Sequence, residues 1–482
     1  MPFSGSIRDQ LAAFAAGLQF DQLPPLVVDK AKAVLLHGLA VGLASLDDPD
    51  VALARRLALE DRRSAGPARL LGFGDAVGRL DAAFFNSVLL HARGQDDSYR
   101  MLTHPGTAIL AVLLAEADGC RISGSALLTA IAAAYELQCR IARDVIPATQ
   151  NHGFRSSALF AIFGATAASA KVRRLEAAQS AEALALAVSA AGGVLEAGRA
   201  GTREQVFQEP ILCQAAMRAV RLAERGVTGA PLTFEGPAGL YYSFTGSAEG
   251  ALSGSFDGET DWPVERVVER LGERWEILHV TMKIYSSAGF NQPVIEAAGA
   301  MAREYDLHPD DVESLRIEMN RWETVHPSPR FPRVTWQSGG PGSTAYFAAA
   351  AIAARGYPPV GPRIAYGLTS ATPVEPSLAA LAERVTVEAS GRRQYAPRLT
   401  IRTRDGRMLL REMTGDEFKW DFATERERCR TLLSALPLRA EHPDALVTLI
   451  ENLERLTDVG SLIEETIARR EIVAEATASF DH

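Results

Sequence analysis

The sequence predicts a mostly α protein with a small α+β part: a large helical domain over 1–258, an inserted α+β domain over 259–413, and a helical return over 414–482. Three observations predict it. Ala- and Leu-rich segments with apolar residues at helical spacing fill the chain as far as Gly250. Gly, Ser and Asp then thicken through 253–258, the composition of a domain crossing. Beyond that stretch, alternating strand-like and helical segments follow one another until helical patterns alone resume after Asp416. At 482 residues the chain also exceeds one ordinary core.

Taken in order, Leu23-Pro24-Pro25 starts the first helix, because proline fits a first helical turn. Val27, Ala31, Val34 and Leu35 then recur along it, and Asp47-Asp48-Pro49 ends it. Helices follow over 79–91 and 107–117, and over 126–140 behind Ser123. The segment 156–171 is so rich in Ala, Phe and Ile that it is expected at the bundle centre, buried all round. Helices over 180–191 and 209–225 complete this half. In the second half 312–319 alternates as a strand, while 292–305 and 343–355 read as helices. Strands over 385–388, 399–402 and 407–411 complete a small antiparallel sheet, the last two joined by an Asp405-Gly406 hairpin signal. The stretch 445–456 is amphipathic, and the last ten residues are expected to fray.

Composition excludes several classes. A net charge of −9 argues against a nucleic-acid partner, which would favour a basic face. No charge-free span reaches membrane length and no basic-plus-apolar leader opens the chain, so no membrane partner and a cytoplasmic location are expected. The four cysteines lack CxxC spacing and read as reduced core thiols. HxxxH, HExxH, GxSxG and a strand-linked GxGxxG are missing too, which leaves chemistry without metal or cofactor.

Proton-transfer groups concentrate in one inter-helix stretch, 91–106, which holds His91, Asp96, Asp97, Ser98, His104 and a Pro105-Gly106 turn. An imidazole titrating near neutrality beside a carboxylate that fixes its tautomer is what general acid–base work needs. The plainer reading is a polar turn in which Asp96 or Ser98 caps a helix. Arg155 and Ser156 begin the buried helix, where its dipole favours an anion. The polar stretch 201–210, with Arg203 and Gln205, reads more naturally as structural. Lys283 and Tyr285 stand two apart on one side of an extended segment, so a cation and a phenol could together hold a carboxylate or enolate oxygen. A snorkelling surface lysine is the alternative there. The Gly-rich 336–343 lacks the Walker lysine and reads as a flexible connection, and His279, His308, His326 and His442 as surface or turn residues.

Together these stretches resemble the MmgE/PrpD family of dehydratases, decarboxylases and epimerases over about 20–460. The resemblance rests on the 23–44 opening helix, on His91…Asp96-Asp97-Ser98…Thr103-His104-Pro105-Gly106, and on Ala134-Tyr135-Glu136. Gly153-Phe154, 226–229, 234–236 and Lys283-Ile284-Tyr285 follow in order. It implies a homodimer of helical domains, each with an inserted α+β lid, an active site in the cleft, and no cofactor. The chain departs from the family pattern at Gly94 for an acid, Ser98 for threonine, Arg155 for histidine, Gln205 for lysine, Pro210 for glycine and Gln292 for histidine. The resulting expectation is a metal-free lyase or isomerase acting on a non-standard, anionic substrate by dehydration, decarboxylation, epimerisation or cyclisation. In it His104 is the acid/base, oriented by Asp96 or Asp97. Lys283 and Tyr285 hold the developing oxyanion, and Arg155 binds an anion with Ser98, Ser156, Arg203 and Gln205 nearby. The rival of a different class is a catalytically inactive dimer retained as a binding or scaffold protein.

Overall fold

The computed structural model describes residues 5–60, 66–247, 251–256, 258–331, 340, 342–356, 375–433 and 444–467. His442, the final ten residues and most of the Gly-rich stretch 336–343 lie outside them. The protein is mostly helical with a small sheet in its second half. Among the described residues no helix is long and apolar enough to cross a membrane.

The Ser156–Val172 helix is the axis of the helical body, and every residue from Ser156 to Ala170 is buried. It packs against the helices Pro105–Ala117, Gly124–Ala142 and Glu204–Ala223. Small residues permit the approach: a Cβ on Gly164 would come 2.2 Å from Gln138 Oε1 and 2.7 Å from Ile109 Cγ1. The polar 201–210 stretch, expected to turn helical only at 209, is largely helix. The Glu204–Ala223 helix runs straight through Pro210. Burial of Glu209 against partners on the central helix outweighs the lost backbone donor. Helices Ile7–Gly17 and Pro49–Glu60 were not anticipated.

The strand order of the sheet is Val385–Ser390, Val312–Asn320, Arg398–Thr403, Met408–Glu412. The first pairing is parallel, where an antiparallel sheet was expected, and the other two are antiparallel. The intervening helix Pro376–Ala382 makes that parallel return possible. Helices Gln292–Glu304 and Thr344–Ala354 pack against each other beside the sheet.

Two devices tie this unit to the body. Arg140, fully buried, pairs with Glu136 and donates to the carbonyls of Val267, Glu269, Arg270 and Arg274. The 264–279 stretch is thereby held against the helices, although the composition break precedes it. The chain then passes out through Thr281–Met282 and returns beside itself, with Met282 N–H bonded to the Phe418 carbonyl at 2.9 Å.

After that return the Phe422–Leu433 helix packs on Pro25–Leu43. His37 clasps it: Nδ1 meets Glu425 Oε1 at 2.9 Å and Nε2 meets the Gln95 carbonyl at 2.8 Å. Both ring nitrogens face acceptors, so imidazolium is the species that satisfies both. Burial opposes that charge, but the Glu425 carboxylate and the Gln95 carbonyl raise the His37 pKa above its ordinary 6.5. Burial likewise opposes the Glu425 charge, and His37, Cys429 and Trp420 pull it below 4.5. The His37 contribution is complete below 6.5 and is lost as pH rises through its folded value. The Glu425 contribution is present above 4.5 and is lost as pH falls through its folded value. Urea midpoints are therefore expected to peak between pH 4.5 and 6.5 for this clasp, and Glu425→Gln to flatten both limbs.

Candidate acid–base site

The site is assembled by one short strand pairing. Asp97–Ser98 pairs antiparallel with Thr281–Met282, with Met282 opposite Asp97. The register places the next residue, Lys283, beside Asp96, and their side chains form an ion pair. Both are nearly inaccessible to solvent.

Asp96 has three cationic or imidazole neighbours. Its Oδ2 lies 2.5 Å from Nδ1 of His91, the fully buried last residue of the Arg79–His91 helix. Its Oδ1 faces Lys283 and lies 3.7 Å from His104 Nδ1. His104 immediately precedes the Pro105–Ala117 helix, and its Nδ1 lies 2.9 Å from the Asp97 carbonyl. That acceptor assigns the proton to Nδ1 and leaves Nε2 as the lone pair. The two imidazole centroids are 5.8 Å apart. The Asp97 carboxylate points elsewhere, accepting from Gly106 N at 2.9 Å and Tyr135 Oη at 2.6 Å. So the adjacent aspartates divide the work: Asp96 supplies charge, and Asp97 pins the helix start and orients His104 through its backbone.

The cluster continues inward. Arg155 Nη2 lies 3.4 Å from His91 Nε2, and Nη1 meets Glu209 Oε2 at 2.7 Å. Ser157 donates to the other Glu209 oxygen at 2.5 Å. Burial would raise the Glu209 pKa, yet Arg155, His91 and Ser157 bring it down to about 2. Burial opposes the charge of Asp96 as well, and His104, Lys283 and His91, with the His91 hydrogen bond, hold it well below the carboxylate range. Burial lowers His104 to about 3: Asp96 pulls it up, while Lys283, His91 and Arg155 push it further down. Asp97 is raised, its burial outweighing the Tyr135 and Gly106 bonds.

A cavity of about 80 Å³ opens onto this cluster, lined by His104, Arg155, Gln205 and Lys283 together with Gln150, Ser157 and His326. The structure thus brings together Asp96, His104, Lys283, Arg155 and Gln205, with Asp97 behind them. Four other expected residues lie apart. The Tyr285 hydroxyl donates to Glu296 at 2.5 Å. Ser98 Oγ lies 3.3 Å from Tyr395 Oη, and Ser156 Oγ lies 3.2 Å from Thr149 Oγ1. Arg203 is half exposed and pairs with Asp50. None of these four is on the cavity wall.

Sequence reasoning gave no role to Gln150 or His326, counted His91 among the proton-transfer groups without a role of its own, and saw Glu209 only as a possible internal partner of Arg155. Glu209 falls one helical turn after Gln205, a spacing hidden because the helix was expected to begin only at 209. His326, assigned to a surface or turn, is on the cavity wall with its ring 5.0 Å from that of Phe290. Gln292 braces the segment after Lys283, accepting from Ile284 N and Tyr285 N at 2.9 and 3.0 Å and donating to Ser287 Oγ at 2.7 Å. Among the described residues His37, Glu425 and Cys429 come close enough to hold a metal ion. Their ligand atoms are already engaged: the His37 nitrogens as above, and Cys429 Sγ with Glu425 Oε1 at 2.5 Å.

Fold and cluster define a protein class: a helical body carrying an α+β unit, with a buried carboxylate–imidazole–ammonium site near the crossing. The MmgE/PrpD N-terminal domain profile matches residues 9–252, and the chain belongs to the MmgE/PrpD family. It is 27% identical over 366 residues to the cis-aconitate decarboxylase-like protein oryM of Aspergillus oryzae, covering 72% of this chain and 73% of that protein. It is 27% identical over 248 residues to human cis-aconitate decarboxylase, covering 49% of this chain and half of that protein's length. With the Aspergillus terreus cis-aconitate decarboxylase the figures are 23% over 308 residues, 62% of this chain and 61% of that protein.

Proposed function

We propose that the protein is a cofactor-independent lyase, or an isomerase of the same chemistry, that moves a proton at the carbon next to a carboxylate or carbonyl of a small anionic substrate. The observation that carries this reading is His104: Nδ1 on a backbone carbonyl, Nε2 left as a base, and Lys283 on the same cavity wall. His104 Nε2 takes the proton, and the bonding pair moves into the carbonyl as an enolate oxygen that Lys283 stabilises. A β-leaving group then departs, taking the proton back from His104, or carbon is reprotonated on the other face by the Lys283 ammonium. The names of the relatives favour the lyase outcome. In a decarboxylation the C–C bond to the carboxylate breaks, CO₂ leaves, and the pair left on carbon takes its proton from the Lys283 ammonium.

The substrate is compact. A cavity of about 80 Å³ has room for only a handful of water-sized groups, which disfavours a bulky acid. Arg155 binds rather than reacts, since a guanidinium does not titrate in this range. Its pairing with Glu209 makes Arg155→Lys the informative change, because it keeps the charge and loses the fork. Arg155→Lys is expected to raise KM by about tenfold with kcat within a few-fold. The protein works as a homodimer in this reading.

The test is proton NMR in D₂O with a panel of small di- and tricarboxylates, cis-aconitate among them. Deuterium uptake or product formation that His104→Ala abolishes supports the proposal. Absence of exchange and turnover across the panel would favour the scaffold reading.

A further inference from the structure

A second cavity, of about 960 Å³, opens between the helical body and the sheet unit. Arg143 and Arg274 reach it from one side, Arg321, Arg392 and Arg393 from the other, and Arg100 from the turn that follows Ser98. Its wall carries eight Lys or Arg against three Asp or Glu, in a chain whose net charge is −9. Concave walls of one sign focus the field, so this is a strongly positive place on an acidic protein. Its size falls within the range of small-molecule sites.

Part of the positive charge is held only by exposed acids, Arg266 by Glu259 and Lys419 by Asp416, while Arg274 shares Glu276 with Arg143. Arg143 is committed to Asp144 and Glu276, at 2.8 and 3.0 Å. Arg392 and Arg393 reach Glu412 and Asp416 at 3.3 and 3.6 Å, but those acids are about half exposed, and such pairs are weak and easily exchanged. Arg321 lies over the Trp322 ring and has no ion pair among the described residues.

The cavity shares a wall with the acid–base site. Arg100 and Met101 both have left-handed backbone, with φ of +45° and +59°, a conformation that residues with a Cβ seldom adopt. Arg100 lines the large cavity, whereas Met101, Leu102 and His104 line the small one. Tyr99 Oη bonds Glu276 at 2.6 Å, and Tyr395 Oη lies 3.3 Å from Ser98 Oγ, so the N-terminal end of the turn is fastened to the large cavity's wall. We propose that this cavity binds a small, multiply charged anion, and that its occupancy is transmitted through the Tyr99–Thr103 turn to the acid–base site. The binding half stands apart from the proposed reaction. The transmission half gives that reaction a regulator.

Calorimetry on the full chain with inorganic tripolyphosphate and with citrate tests binding without any assay of activity. One-to-one binding is expected, and Arg321→Glu combined with Arg393→Glu is expected to weaken it about tenfold or more by setting like charge against the ligand. Arg402→Glu, on an exposed sheet residue outside the cavity, leaves it unchanged. Preference for tripolyphosphate identifies a phosphorylated ligand, and preference for citrate a polycarboxylate. Hydrogen exchange reads the transmission: the paired Tyr99 and Thr103 amides should slow with the anion in the wild type and not in the double variant. Should the double variant not fold, Arg393→Gln replaces it, with a smaller loss expected. Failure of both probes to bind, or binding insensitive to these changes, overturns the site. Binding without slower exchange in the turn overturns the transmission. A loss of dimer in light scattering on the same substitutions would reassign the cavity to a subunit interface and overturn the proposal.

Discussion

Replacing His104 with alanine is expected to lower kcat by about 10²–10⁴-fold while KM stays within a few-fold. The expectation follows from where the imidazole is held. Its Nδ1 proton is fixed on the Asp97 carbonyl, so Nε2 is available as a base without reorganisation. Burial brings its pKa to about 3, so it is neutral at physiological pH. A base with a lowered pKa stays unprotonated as pH falls, so the acid limb of kcat/KM should lie below pH 5 rather than near the 6.5 of an ordinary imidazole. A pH–rate profile checks both statements. An acid limb near 6.5, or a loss confined to KM, would assign the chemistry to another residue. Asp97→Asn is the matching control, since the backbone carbonyl that holds His104 survives it while the Gly106 and Tyr135 contacts weaken.

The helices were legible because their evidence is periodic and local. The central helix announced its burial by composition alone, and the structure buries every residue from Ser156 to Ala170. The Asp405-Gly406 hairpin was equally local, and its strands pair as expected. What stayed hidden depended on distant partners. Nothing near Val312–Asn320 reveals that its neighbour Val385–Ser390 runs parallel to it. The continuation of helix through Pro210 depends on Glu209 finding Arg155 and Ser157, more than fifty residues away in sequence. The site divides in the same way. His104, Asp96 and Lys283 were readable as chemical types in a familiar order. Tyr285 carried the same signal, yet its hydroxyl bonds Glu296, a partner further along its own segment. His326 carried none, because a histidine in a proline-rich turn looks the same whether or not a cavity opens beside it.

Lys283→Met is expected to lower kcat by about 10²–10³-fold, the effect of removing one donor aimed at a developing oxyanion. Methionine keeps the length and the apolar stem of the side chain, so the loss measures charge more than packing. The Asp96 carboxylate would retain its His91 partner at 2.5 Å and lose the ammonium, leaving a buried anion only partly compensated. His104 then senses Asp96 more strongly and Lys283 not at all. Both changes favour its protonated form, so the acid limb of the variant should move to higher pH than that of the wild type. This upward movement separates the proposal from simple damage to the fold, which would lower the rate at every pH without displacing the limb. Lys283→Arg should fail to restore the rate, since a planar guanidinium cannot take the place of a compact ammonium between Asp96 and the cavity. Recovery of most of the activity by arginine would show that any cation suffices there, and that the oxyanion is held by another group.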